Sequence, residues 1–355
     1  MRINNLNLIN YRNHINKAIV FDSELISIIG PNGIGKTNIL EAIHIVSTGK
    51  SSRAKRDSDL INYDKNFSTI NCNVSSREDD LNLEIQIIKE NEDHRTIKKA
   101  KVNKTPKTLH NFYGLFTSVF FIPEDINLLT EPPSERRKYI DSILVQVDSS
   151  YKKNLNLYTK AVKQRNKILE KINKENKGWD EMGYWTQMVA NTGSIIQDKR
   201  ESMFNEIKYY INENAVKLEI TNDSKNNSKV ALNYKKNEIN EERFEKYKAR
   251  EIASKTTLIG PHRDDFEIFI DGHSVSDYSS RGQQRGIILS LKLSEIEYIE
   301  KEKKERPVLL LDDIFSELDE NHKKAIQNII NKQQTIITST DNISFLHDNK
   351  IIRLG

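Results

Sequence analysis

Polar and apolar residues alternate from the first positions of the chain. In LNLINYRNH, residues 6–14, Leu6 and Leu8 alternate with asparagines, the period-two pattern of a strand with one buried face. ELISIIG is an apolar run that ends at Gly30, as in a strand covered on both sides. A helix is predicted next, from about Lys36 to Val46, with Ile39, Leu40, Ile43 and Val46 on one face. Segments 67–75, 81–89 and 95–103 are alternating or β-rich and predict a small antiparallel group. SVFFIP, residues 118–123, reads as another strand, stopped by Pro123.

The pattern then changes period. No proline occurs from Ser134 to Ala253, and Leu155, Val162 and Leu169 recur every seven residues, with Tyr158 and Ile172 at companion positions. So short a repeat predicts an antiparallel helix pair rather than a long coiled coil, with its turn in NKENKGWDEMG, residues 173–183. After Thr256 the α/β pattern returns: DFEIFIDG as a hairpin strand, RPVLLLDD as a buried strand and QTIITST as a third. The expected organisation is one α/β domain made of residues 1–123 and 256–355, with residues 124–255 inserted as a helical arm. TNDSKNNSK, residues 221–229, reads as a surface loop.

Composition narrows the function classes. With 55 Lys and Arg against 51 Asp and Glu, the net charge is only +4, so any nucleic-acid surface has to be a local patch. The single cysteine, Cys72, alternates with Ile70 and Val74 in STINCNVS; a half-buried strand accounts for it, without a redox or metal role. The eight histidines show no ligand spacing. MRINNLNLIN has no apolar signal core and no run reaches transmembrane length, so a soluble, cytoplasmic protein is expected.

GPNGIGKT, residues 30–37, matches G-x-x-x-x-G-K-[ST] between a buried strand and a helix, the context this phosphate-binding motif requires. Glycines let backbone N–H groups turn towards phosphates, and the helix N-terminus adds its dipole. Gly30, Asn32, Gly33, Gly35, Lys36, Thr37 and Asn38 are therefore candidate ATP ligands, Lys36 for the β- and γ-phosphates and Thr37 for Mg²⁺. VLLLDDIFSELD, residues 308–319, sets paired carboxylates at a strand tip; Asp312 is the expected Mg²⁺-side acid and Asp313 the group that orients or deprotonates water. A strand ending in solvated acids is the plainer reading of the second motif, and the first displaces it.

In SSRGQQRG, residues 279–286, ahead of an apolar helix, Ser280, Gly282 and Gln283 fit the S-x-G-Q signature of ABC-type ATPases. The resemblance implies that this serine and glycine meet the γ-phosphate of an ATP held by a second copy of the chain, and SELD, residues 316–319, resembles the loop that crosses the same interface. A serine helix cap beside a glycine is the structural alternative.

The order phosphate loop, helical insertion, S-x-G-Q, DD and SELD resembles the structural-maintenance-of-chromosomes (SMC) group of ABC ATPases. YRNH at 11–14, FIPEDINLLTEPPSERRKYID at 121–141 and LIGPHRDDFEIFIDG at 258–272 resemble one branch of it, the RecF family of bacterial recombination mediators. The likeness spans nearly the whole chain. It implies an ABC-type P-loop ATPase head with an inserted helical arm and a weak, DNA-stimulated ATPase that dimerises on ATP at single-strand gaps. It also implies RecO and RecR as partners in helping load RecA in recombinational repair and replication restart, and Arg12 and Asn13 near the nucleotide phosphates. The rival function is an SMC-like DNA-bridging protein that uses ATP mainly as a dimerisation ligand. Asp313 stands where many ABC relatives carry glutamate, TIITST offers no switch histidine, and FIPED has no glutamine for metal sensing. Two basic clusters are candidate DNA-phosphate contacts: Lys50, Arg53, Lys55 and Arg56 in KSSRAKR, and Lys98, Lys99, Lys101, Lys104 and Lys107 further on. A solvated charged face is the alternative for each.

Overall fold

The structure is a computed structural model that describes residues 1–90, 95–220, 229–316, 320–341 and 349–355. Strands β1 (Arg2–Tyr11) and β2 (His14–Val20) form a hairpin and β3 (Leu25–Ile29) leads into helix α1 (Lys36–Thr48). Then come β4 (Phe67–Ser75), β5 (Asp80–Glu90), β6 (Arg95–Val102), β7 (Thr105–Lys107), a short helix α2 (Leu109–Phe112) and β8 (Ser118–Phe121). Helices α3 (Pro133–Val147), α4 (Ser149–Glu175) and α5 (Trp179–Lys217) precede β9 (Val230–Lys235), α6 (Glu241–Ser254), β10 (Asp265–Ile270), β11 (His273–Ser274) and α7 (Val275–Tyr278). The signature opens α8 (Arg281–Lys303), and β12 (Val308–Asp312), α9 (Glu320–Ile330), β13 (Thr335–Ser339) and β14 (Lys350–Arg353) complete the chain.

Two compact units emerge. The first comprises residues 1–126, 210–227 and 280–355. Its five-stranded sheet runs β14-β3-β13-β12-β8 with every pairing parallel, and β3 is buried at all five positions, as a sheet covered on both faces demands. A six-stranded antiparallel sheet runs β2-β1-β4-β5-β6-β7. Helix α1 packs against β8, β12 and β13 of one sheet and against β4 and β5 of the other. The sequence pattern implied a one-sided helix; clasped between two sheets, α1 instead buries charged positions such as Lys36 and Glu41. Gln334 joins the sheets by accepting from the Ile3 N–H at 2.7 Å and donating to the Ile3 carbonyl at 2.9 Å. Cys72 lies fully buried on β4, where burial pushes its thiol up to about 12, a structural cysteine.

The second unit comprises residues 127–209 and 228–279. Helices α4 and α5 join through a three-residue turn in which Asn176 and Gly178 have φ of 51° and 98°. Ile168, Leu169 and Ile172 of α4 form an apolar cluster with Met182 of α5. Tyr158, Ala161 and Arg165 are also buried on α4, so the seam is wider than the heptad positions implied and contains a charge. That charge is matched: Arg165 donates to Glu251 at 2.6 Å, with side chains 1% and 0% exposed.

The compact units divide the chain at other points than the expected domain limits. DFEIFIDG, expected in the α/β portion, forms β10 and pairs with β9 over six residues, from Asp265 opposite Lys235 to Ile270 opposite Val230. Its neighbours Asp264 and Asp265 are tied to the arm by ions, Arg200 reaching Asp264 at 3.0 Å and Arg136 reaching Asp265 at 2.6 Å. Residues 256–279 group with the helical unit and 210–227 with the unit of the parallel sheet. Of the expected loop at 221–229, residues 221–228 lie outside the described residues, as do 317–319 of SELD.

Candidate functional site: a phosphate loop with a carboxylate and a surface signature

The phosphate motif follows β3 directly and ends where α1 begins. Gly33 and Gly35 have φ of 83° and 105°, a region that L side chains adopt only with strain. A Cβ at Gly35 would also meet Asn13 and His14 at 2.6–2.7 Å, so both conformation and space require glycine there. Gly35 caps α1 without a side-chain hydrogen bond, leaving the first-turn N–H groups as an anion-binding end. Lys36 is 7% exposed and its Nζ donates to the Gly30 and Pro31 carbonyls at 2.6 and 3.1 Å, so the ammonium curls along the loop.

Asp312 closes the site from β12. Its Oδ1 accepts from Thr37 Oγ1 at 2.9 Å and Thr338 Oγ1 at 2.5 Å. Burial raises the Asp312 carboxyl above its ordinary range; the Thr338 and Thr37 hydroxyls and the charge of Arg53 act against that shift. Hard oxygen donors from one carboxylate and one hydroxyl, beside a phosphate cradle, fit Mg²⁺, which usually takes few protein ligands and completes its shell with phosphate and water. Among the described residues no group of three or more His, Cys, Asp or Glu could hold a metal. Asp313 sits just past the strand at φ 48°, its N–H donating to the Thr338 carbonyl and hydroxyl, both at 3.2 Å. Thr338 is thus a site residue to which the sequence pattern assigned no role; β13 lies between β3 and β12 and brings it there.

The β1–β2 turn packs on the loop. Asn13 Nδ2 donates to the Ile34 carbonyl at 3.0 Å, and Asn13 Oδ1 accepts from Asn38 Nδ2 at 2.8 Å. His14 Nε2 lies 3.1 Å from the Gly35 carbonyl, to which it can only donate. Burial lowers the His14 pKa, outweighing the Gly35 bond and aided by the charge of Lys17, so the ring is neutral at pH 7. Arg12, in the same turn, pairs with Glu41 at 2.7 Å. YRNH carried the signal for His14, whereas Glu41 had none. Asn32 is exposed in the loop.

Ser280, Arg281, Gly282 and Gln283 are all exposed. The helix starts at Arg281, so the signature forms its first turns instead of preceding it. Ser280 Oγ accepts from Gln283 N–H at 3.3 Å and the Gln283 side chain accepts from Ser280 N–H at 3.0 Å, a capping box that outweighs the glycines as breakers.

The basic clusters separate. Lys50, Arg53, Lys55 and Arg56 are exposed. Lys98 is a brace: its side chain is 8% exposed and donates to Asp57 at 2.6 Å and to the Gly49 carbonyl at 2.7 Å. Lys101 pairs with Glu84 at 2.7 Å. The second cluster is thereby weakened as a nucleic-acid surface, and its Lys98 holds the first in place.

The family model described as "RecF/RecN/SMC N terminal domain" matches residues 2–354. Curated relatives named "DNA replication and repair protein RecF" from Bacillus thuringiensis (strain Al Hakam) and Bacillus cereus (strain B4264) are each 36% identical over 351 residues, covering 96% of this chain and 92% of theirs. The chain belongs to the RecF family. Two solved structures of the recombination mediator protein RecF in the RecFOR pathway, one as RecF-ATP and one as RecF-ATPrS, match with TM-scores of 0.88 and 0.86 and identities of 32% and 33%. Each covers 99% of this chain, with 95% and 96% of the RecF chain matched in turn. A Smc head bound to the C-winged helix domain of ScpA, at 18% identity and TM-score 0.53 over 99% of this chain and 94% of that one, shares the fold. The fold is thus the ABC-type ATPase head with a helical insertion, and among the described residues no helix is long and apolar enough to cross a membrane.

Proposed function

We propose that this RecF-family chain is an ATP-dependent DNA-binding protein of replication and repair. It binds ATP at residues 30–38, dimerises head to head through its signature, engages DNA at single-strand gaps and works with RecO and RecR in loading RecA. The observation that carries the reading is the Thr37–Asp312 contact of 2.9 Å across the phosphate loop, which sets a metal-type hydroxyl and carboxylate beside Lys36. Family membership and the ATP-bearing RecF structures support the ligand.

In this reading Lys36 turns from the loop carbonyls to the β- and γ-phosphates, while first-turn N–H groups, Asn32 and Asn38 hold the phosphate chain and Arg12 and Asn13 flank it. Thr37 and Asp312 would hold Mg²⁺, which neutralises phosphate charge and orients the leaving group. Asp313 positions and deprotonates water. Ser280, Gly282 and Gln283 serve the partner copy's nucleotide, which accounts for a capped helix start left exposed. The carboxylate of Asp313 is one methylene shorter than a glutamate, so turnover is slow; the family resemblance adds that DNA stimulates it. Sedimentation with and without ATP and gapped DNA tests the whole reading: ATP should convert monomer to dimer, and a species unchanged by ATP would overturn it.

Asp313→Asn should leave ATP affinity close to that of the wild type and lower kcat by about 10²–10⁴-fold, because an amide cannot take a proton from water. The ATP-bound dimer should then persist on DNA. Steady-state phosphate release checks this, and an unchanged kcat assigns the base elsewhere.

Affinity for DNA should fall steeply with salt, since phosphate contacts release counterions. Replacing Arg53, Lys55 and Arg56 with alanine should flatten the slope of log K against log salt by up to about three units, one per lost contact. Arg53 also acts electrostatically on Asp312, so Lys55 and Arg56 alone should account for about two of these. An unchanged slope would make the segment an ordinary solvated face.

A further inference from the structure

Glu41 has no part in the roles above, yet it is 1% exposed and surrounded by donors. The Tyr11 hydroxyl and Arg12 Nε donate to its Oε2 at 2.8 and 2.9 Å, and Arg12 Nη2 donates to its Oε1 at 2.7 Å. The Ser51 hydroxyl donates to the same Oε1. Ser51 Oγ in turn accepts the Arg53 and Ala54 N–H groups at 2.9 and 2.6 Å. One carboxylate therefore takes both prongs of an arginine in the β1–β2 turn and the hydroxyl that folds the start of the basic segment.

The turn is also tied to the chain a few residues beyond that segment. Arg12 N–H donates to the Leu60 carbonyl at 3.0 Å, and Asn62 Nδ2 donates to the Arg12 carbonyl at 2.7 Å. On its other side the turn reaches the phosphate loop through Asn13 and His14. Arg12 holds φ 53°, a left-handed conformation strained for a non-glycine residue, and these contacts maintain it. A buried carboxylate costs more than an apolar side chain of similar size unless its partners compensate. A helix clasped between two sheets would be served better by leucine at position 41 if packing were the only demand.

We propose that Glu41 is a positioning residue that joins the phosphate loop and the basic segment 51–56 into one unit, so that nucleotide and DNA binding are coupled through it. Arg12 is the nucleotide-side arm of this link and Ser51 the DNA-side arm. The inference rests on the assignment of ATP and DNA under Proposed function. It adds the path by which each ligand alters the affinity for the other.

The test is a linkage experiment on the full chain with a non-hydrolysable ATP analogue and a gapped DNA oligonucleotide. DNA affinity is measured with and without the analogue, and analogue affinity with and without DNA; the two coupling factors must agree, because linkage is reciprocal. The wild type should show a factor within the common range of about 5–150. Ser51→Ala should bind the analogue alone as the wild type does, with its coupling factor reduced to near one, and Ser51→Thr, which keeps the hydroxyl, should restore it. Glu41→Gln should also lose coupling, its melting temperature being followed in parallel. Wild-type coupling retained by Ser51→Ala and Glu41→Gln would overturn the role of Glu41 while leaving the ATP and DNA assignments standing. Loss in Ser51→Ala that Ser51→Thr does not repair would also overturn it, because the hydroxyl would not be the link. A factor of one in the wild type would remove the functional reading itself, and this inference with it.

Discussion

Lys36→Ala should lose ATP-dependent dimerisation altogether. The ammonium is the one charge-assisted donor that the loop contributes, and such a bond is worth about 1.5–3 kcal/mol net, roughly a 10–150-fold loss of ATP affinity. In the proposed dimer the γ-phosphate then goes unclamped where the partner's signature would meet it, so loss of dimer exceeds loss of binding. Lys36 also braces the Gly30 and Pro31 carbonyls, and its removal loosens the loop. Lys36→Arg separates these effects: it keeps the charge but cannot follow the same curled path at 7% exposure. Titration with a fluorescent nucleotide and sedimentation with ATP read the two steps. Undiminished dimerisation of Lys36→Ala would remove the phosphate loop from the dimer mechanism.

Sequence made some parts of this site legible and hid others for identifiable reasons. The loop at 30–37 and the strand ending at Asp312 were visible because each couples a continuous apolar run to polar residues at its tip, and that contrast survives in one dimension. Glu41 was hidden because its burial comes from long-range packing. Its donors stand 30, 29 and 10 positions away, and within ILEAIHIV a lone acid reads as the wet side of a helix. Thr338 was equally opaque, since its neighbours in space are set by parallel pairing of β13 with both β12 and β3. The signature was set ahead of the helix, with a serine cap only as the alternative, and the Ser280–Gln283 capping box makes that alternative the local structure. Alternation in DFEIFIDG reveals a strand without naming its partner, which is β9.

The arm segments that marked the family acquire a physical meaning. Arg200 is 2% exposed and donates to Asp264 at 3.0 Å and Asp141 at 2.8 Å, and its Nε donates to the Tyr151 hydroxyl at 3.0 Å. PSERRKYID and GPHRDD thus contribute acids to one buried cation, with Arg136 and Asp265 forming a second pair beside it. Breaking such a buried pair from one side typically costs about 3–5 kcal/mol, so these motifs hold the helical unit together and need no catalytic role.

If the signature acts in trans, as proposed, two defective proteins give a sharper result together than either alone. Ser280→Arg should bind ATP, since its phosphate loop is intact, yet fail to dimerise, because a bulky cation stands on the exposed surface offered to the partner. Lys36→Ala retains that surface and lacks the loop contact. In their heterodimer one composite site carries both lesions and the other carries neither, whereas each homodimer has no intact site. Since neither protein dimerises alone, the mixed dimer is the species that ATP assembles, with one of its two sites working, so an equal mixture should restore at most about half of wild-type hydrolysis, a consequence of the two-fold, isologous interface. Hydrolysis rates across a mixing series, with sedimentation alongside, measure this directly. A signature that served its own subunit's ATP would leave every mixture as inactive as its components. Recovery peaking at equal amounts of the two proteins is the result that places Ser280 and Gly282 on the neighbour's nucleotide.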